Sequence, residues 1–272
     1  MLNRRDFLKQ GCGALLLPAT FKSELLAAPA KRRVLFIGNS YTYFNNLPQI
    51  LSGLAASAKP PQTLETEMIT VGGATLKSLW SGGQPQAALA GKKWDYVVLQ
   101  EQSTLGQTRM VDGVIQINDP KDFHASVRTI DPEIKKAGAK PLLYMTWARK
   151  DTPEKQSLLT DAYQNIGKEL GDKVAPVGLA WQAALKARPD LELHVADKSH
   201  PNPAGSYLAA CVFYATIFGK SPEGLAARIT GTIVEHTGTV TGSQGDLVNL
   251  SKEDAAFLQT IAWETVRKSQ KK

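Results

Sequence analysis

The sequence predicts a three-layer α/β fold, a parallel sheet of about five strands with helices on both faces. Three observations predict it. Short apolar runs, too brief for helices, recur along the chain; most are followed by a stretch in which apolar residues return at helical spacing; and no linker or internal repeat divides the chain. A chain of about 240 residues can bury roughly 70 % of its extended surface, so one core is enough without staples.

Residues 33–37 read as the first strand, and 47–58 as a helix with Pro48 near its start, where a missing N–H costs nothing. Residues 64–71 form a second strand that ends at Gly72-Gly73. The run at 96–100 suits a strand covered on both faces, as in parallel sheets. A long connection over 101–120 leads to a helix expected to falter at Pro132, and 140–146 is the next strand. Leu158, Leu159, Ala162, Tyr163, Ile166 and Leu170 then recur at helical spacing, so 153–170 is an amphipathic helix. Residues 173–177 make the fifth strand, followed by a helix through Leu185. Asn202 as N-cap, Pro203 at the first helical position and Gly219 past the end delimit a helix over 203–218. A Gly/Thr-rich stretch at 231–246 and a final helix capped by Ser251 complete the chain. The reading is one domain over 31–272, with 220–272 as a C-terminal extension packed on it.

The first thirty residues stand apart. Asn3-Arg4-Arg5-Asp6-Phe7-Leu8-Lys9 resembles a twin-arginine export motif, and a modest apolar stretch and the Ala28-Pro29-Ala30 site follow it. Residues 1–30 are therefore expected to be an export signal read by the twin-arginine machinery, which makes the protein periplasmic or secreted. Lys9-Gln10-Gly11 before Cys12 is no lipobox, and no later run is apolar over the about 20 residues a bilayer needs, so no membrane anchor is expected. The formal charge of +7 falls to +5 once residues 1–30 are removed, with the basic residues mostly scattered. Nucleic-acid binding needs a concentrated basic stripe, and none is present. Cys211, alone after processing, lies in an apolar helix and reads as a small hydrophobe.

In an open parallel sheet, ligands bind at the carboxyl ends of the strands. Four segments sit at such ends or before a capped helix: Gly38-Asn39-Ser40, Gly72-Gly73-Ala74, Gln100-Glu101-Gln102-Ser103 and Asp197-Lys198-Ser199-His200. Together they offer a hydroxyl, backbone N–H groups, a side-chain amide, and a histidine with a carboxylate three residues away. Acyl transfer from an ester needs those parts. Gly72-Gly73 lacks the Lys and Ser/Thr of a phosphate loop. His194, Asp197 and His200 match no helical metal-ligand pair, so neither metal nor cofactor is expected.

These blocks resemble the SGNH (GDSL-type) hydrolases: "FIGNSYT", "ITVGGAT", "WDYVVLQEQS" and "DKSHPNPAG" stand in that family's order over 34–207, and "LQEQS" with "YMTWARK" is similar to its secreted bacterial branch. The resemblance implies a flavodoxin-like sheet, Ser40 as nucleophile, His200 as base and Asp197 as its orienting partner. It also implies an oxyanion hole from the Ser40 and Gly73 N–H groups and the Gln102 amide, with Gln100 a rival for the last. Two departures stand out: Asn39 replaces the usual aspartate, and Gln102 the usual asparagine. Asn39, Gln100, Glu101, Arg109 and Trp147 are further candidates for substrate contact. The function implied is a serine esterase acting through an acyl-enzyme on a small ester, with acetyl on a carbohydrate preferred. The alternatives are a glycan-binding protein on the same fold or an O-acyltransferase using the same residues.

Overall fold

The computed structural model describes residues 31–271, so the expected export signal at 1–30 lies outside the described residues. In chain order the elements begin β1 (Arg32–Gly38), α1 (Ser40–Tyr43), α2 (Leu47–Ser57), β2 (Leu64–Thr70), α3 (Leu76–Ser81), α4 (Gln84–Gly91) and β3 (Tyr96–Leu99). Then come β4 (Arg109–Val111), β5 (Val114–Gln116), α5 (Lys121–Lys136), β6 (Lys140–Tyr144), α6 (Gln156–Leu170), β7 (Lys173–Ala175) and α7 (Val177–Ala187). The chain closes with α8 (Pro203–Phe218), β8 (Arg228–Val234), β9 (Val240–Asn249) and α9 (Lys252–Ser269).

Five parallel strands form the central sheet in the order β2-β1-β3-β6-β7. Counted within the sheet this is 2-1-3-4-5, the flavodoxin-like order, whose direction of winding reverses between β1 and β3. Alternation along each strand sends side chains to two cores. Val34, Phe36, Val98, Leu142 and Tyr144 face α2, α7, α8 and α9, while Leu35, Ile37, Val97, Leu99 and Leu143 face α3, α5 and α6. The inner strands β1, β3 and β6 are thus apolar on both sides because helices cover both sides, while the edge strand β2 carries Glu65, Thr66 and Glu67, and the three-layer expectation holds.

Helix α8 is buried from Gly205 to Ile217, which explains why it is apolar all round. Cys211 lies at its centre, and burial pushes its thiol pKa up, so it stays an inert filler. Helix α5 runs unbroken through Pro132, contrary to the expected fault. That proline is on the exposed face, where solvent can take the place of the missing N–H donor. The long connection 101–120 contains the β4–β5 hairpin, and the Gly/Thr-rich stretch lies within a second hairpin, β8–β9. The turn of β8–β9 reaches α1, where the Tyr43 hydroxyl donates to His236 O at 3.1 Å. Among the described residues, no helix is long and apolar enough to cross a membrane.

Candidate active site

The chain leaves β1 at Gly38 and turns into α1 at Ser40, next to the point where the winding of the sheet reverses. Why it turns there follows from Asn39. Its Oδ1 caps α1 by accepting from Tyr41 N at 3.2 Å and also takes the Gln100 Nε2 donor at 2.8 Å, while its Nδ2 donates to Ala74 O at 2.9 Å. Gln100 Oε1 in turn accepts from Asn39 N at 2.8 Å and from Thr42 Oγ1 at 2.9 Å. One amide pair therefore ties the serine turn to the glycine segment and to the end of β3. An aspartate at position 39 could accept these bonds but could not donate to Ala74 O, so the asparagine suits this site.

At that turn, Ser40 Oγ lies 2.8 Å from His200 Nε2, and His200 Nδ1 lies 2.5 Å from Asp197 Oδ2. The other carboxylate oxygen of Asp197 accepts from Ser199 N at 2.8 Å and His200 N at 2.9 Å, so the same side chain shapes the turn and orients the ring. Partial burial works to raise the Asp197 pKa. The His200 ring bond and the two backbone bonds outweigh it, holding the carboxyl below its ordinary value and thus ionised at neutral pH. Ser40 is 8 % exposed. The N–H groups of Ser40 and Gly73 have no protein acceptor among the described residues. Gly73 takes φ +70°, a conformation side chains resist, and the space where a Cβ would sit is open.

Residues that the sequence reading passed over hold this geometry. Asn45, at φ 54°, donates from Nδ2 to Pro201 O at 3.1 Å and Ser206 Oγ at 2.9 Å, clamping the serine turn to the histidine turn. The Phe44 ring stacks on His200 at 4.2 Å, and His236 of the β8–β9 turn also stacks on Phe44, at 4.8 Å. Ser199 is held from three directions: its Oγ exchanges a bond with Tyr41 OH at 2.7 Å and accepts from Arg149 Nη1 at 2.9 Å, and its carbonyl accepts from Trp147 Nε1 at 3.0 Å. The left-handed tolerance of an Asn-Asn pair was the one local signal available for any of them.

Several expected substrate contacts require correction. Trp147 is 1 % exposed, stacked between Tyr41 at 4.6 Å and Trp181 at 3.9 Å, so it props the histidine turn and presents no ring face to a ligand. Asn39 and Gln100 are buried and spent on each other. The Gln102 amide folds back on its own loop, accepting from Thr104 N at 2.5 Å and donating to Thr108 Oγ1 at 3.2 Å. It is therefore committed elsewhere and is no oxyanion donor in this arrangement, and neither is Gln100. Arg109 sits on the exposed β4 strand and bonds to none of the site residues. Of the three residues considered as metal ligands, His200 is engaged by Ser40 and Asp197, and His194 meets Trp181 in a T-shaped contact at 4.7 Å.

Glu101 is buried and accepts from Gln102 N at 2.7 Å and Leu76 N at 3.3 Å, joining the loop after β3 to the start of α3. Burial is the main influence on it, outweighing these bonds and raising its pKa to about 7. Folding therefore favours its protonated form, a benefit fully present below the unfolded value near 4.5 and lost as pH rises through 7. Relative to Glu101→Gln, the parent is expected to lose about 3 kcal/mol of stability between pH 4.5 and 7.5. Urea unfolding of both proteins across that range checks this; parallel curves would contradict it.

A parallel sheet carrying an Asp–His–Ser hydrogen-bonded chain at its switch point defines a serine hydrolase by class. Comparison with known proteins leads to the same class. A Slackia heliotrinireducens protein provisionally described as an SGNH hydrolase is 30 % identical, covering 69 % of this chain and 100 % of its own, with a TM-score of 0.56. The chain belongs to the SGNH serine hydrolases. A DUF4886-family protein from Bacteroides uniformis shares the fold at 17 % identity and a TM-score of 0.64, covering 88 % of this chain and 96 % of its own. The acetylxylan esterase Axe2 from Geobacillus stearothermophilus does so at 17 % identity and 0.57, over 70 % and 95 %. No family model and no curated protein matches the sequence.

Proposed function

We propose that the protein is an exported serine esterase that hydrolyses short-acyl esters, acetyl on a carbohydrate in the first place, through an acyl-enzyme on Ser40. The observation that carries this reading is the unbroken chain Asp197–His200–Ser40 beside two unpaired backbone N–H groups. His200 Nε2 takes the Ser40 proton as Oγ attacks the ester carbonyl. The oxyanion that forms is held by the N–H groups of Ser40 and Gly73, each such donor being worth roughly 3–4 kcal/mol in the transition state. His200 then gives the proton to the departing alcohol. Water enters, loses a proton to His200 and attacks the acyl-Ser40 ester; the acid leaves and Ser40 recovers its proton. Asp197 keeps the proton of Nδ1 in place throughout, so that Nε2 is free to act as base.

Acetyl is preferred because acetylxylan esterase is a chemistry this fold supports in the Geobacillus protein. Export is supported by the paired arginines and the Ala-x-Ala site of residues 1–30, which would also make the twin-arginine machinery a transient partner. The expected result is acetate release from acetylated xylo-oligosaccharides, measured with and without an added acceptor alcohol. Acetyl transfer to the acceptor in place of release would make the protein an acyltransferase. Absence of turnover on every acetylated saccharide and on aryl acetates would overturn the esterase reading.

A further inference from the structure

Behind the histidine turn, Trp147 and Arg149 also line a cavity of about 250 Å³, together with Trp181, Leu185, Lys186 and His194. Its charged lining is entirely basic. Lys150, also on the lining, is spent on Glu192 at 2.6 Å, whereas Arg149 and Lys186 have no acidic partner among the described residues. Two cations without counter-charge beside one cavity favour an anion there. A second, independent observation points to a ligand with hydroxyl groups. Trp181 Nε1 and His194 Nε2 are buried on this lining and have no hydrogen-bond partner, a state native proteins rarely leave unfilled. Trp181 is 1 % and His194 6 % exposed. The indole N–H is a donor. Burial is the leading cause that holds the His194 pKa below its ordinary value, so the ring is neutral at neutral pH and has one nitrogen able to accept.

We propose that this cavity is a subsite for a carboxylate-bearing sugar of the substrate, with Arg149 and Lys186 facing the carboxylate and Trp181 and His194 serving its hydroxyls. Arg149 connects the subsite to the reaction centre. Its Nη1 holds Ser199 Oγ at 2.9 Å, one residue before His200. Trp147, on the same wall, stacks on Tyr41, the residue after Ser40. The enzyme would accordingly prefer an acetylated saccharide that also carries a uronic acid. Sulfate would satisfy the two cations but, carrying no hydrogen, would leave the His194 acceptor without a donor. The word substrate rests on the esterase reading above; the charge preference of the cavity does not.

Calorimetric titration of the full chain carrying Ser40→Ala tests this with two acetylated xylo-oligosaccharides of equal length, one bearing a glucuronate branch. The branched ligand is expected to bind about tenfold more tightly, a preference that shrinks to less than about twofold when Lys186→Glu is added. Lys186 is exposed, so this change spares the core, and circular dichroism confirms the fold. Equal affinities for the two ligands, no binding of the branched one, or a preference that survives Lys186→Glu would each overturn the proposal. Failure of the esterase reading is seen separately, as absence of parent activity on para-nitrophenyl acetate, an ester with no carboxylate for the cavity to hold.

Discussion

Ser40→Ala is expected to fold as the parent does and to lose on the order of 10⁶-fold in kcat, the scale seen when a serine hydrolase loses its nucleophile. The reason is specific to this site. The Ser40 side chain makes one hydrogen bond, to His200 Nε2, and the turn around it is held by Asn39 and Gln100, so removing the hydroxyl leaves the scaffold untouched. His200→Ala is expected to cost a similar factor, and the double variant little more than either alone, because nucleophile and base act as one unit. Rates on para-nitrophenyl acetate beside urea unfolding curves separate this outcome from a loss of fold. A Ser40→Ala protein that retains a tenth of parent kcat would place the reaction elsewhere.

Asp197→Asn is the second large effect, about 10⁴-fold in kcat. The amide oxygen can still accept from the N–H groups of Ser199 and His200, so the turn survives. What changes is the other atom, which now donates toward His200 Nδ1 where a carboxylate oxygen accepted. The imidazole is driven to the tautomer with its proton on Nε2, facing Ser40 with a donor where a base is needed. Asp197→Ala would remove the turn contacts as well and is the less informative change. Nitrogen-resolved NMR of the His200 ring checks the tautomer directly, and Nε2–H in the variant but not in the parent is the expected pattern.

How far the sequence leads can be judged from particular residues. The inner strands were legible because they are covered on both faces, so Val34 to Ile37 and Tyr96 to Leu99 are unbroken apolar runs of a length that suits no helix. Helix α8 was legible at both ends because Asn202, Pro203 and Gly219 are local signals. The β8–β9 hairpin was not, since its two strands lie outside the main sheet and alternate only weakly between buried and exposed. The short helices α3 and α4 went unread for a similar reason. Each carries only one or two buried residues, too few for a periodic pattern.

The site divides in the same way. Ser40, Asp197 and His200 could be named because a residue that follows a strand is placed by that strand, and the three fall in blocks with a known family order. Their supports could not be named. Asn45 acts on Pro201 and Ser206, Arg149 on Ser199, and His236 on Phe44, each across many residues of chain, so nothing near them in sequence marks the partner. Trp147 shows the opposite error. Its position after β6 invited a surface role, whereas packing between Tyr41 and Trp181 encloses it.

The central claim is that His200 activates Ser40. Intact-mass analysis after treatment with a fluorophosphonate tests it without requiring the natural substrate, with Ser40→Ala and His200→Ala treated in parallel. The account predicts one adduct on the parent and none on either variant. No adduct on a folded parent, or an adduct that persists in Ser40→Ala, would contradict it.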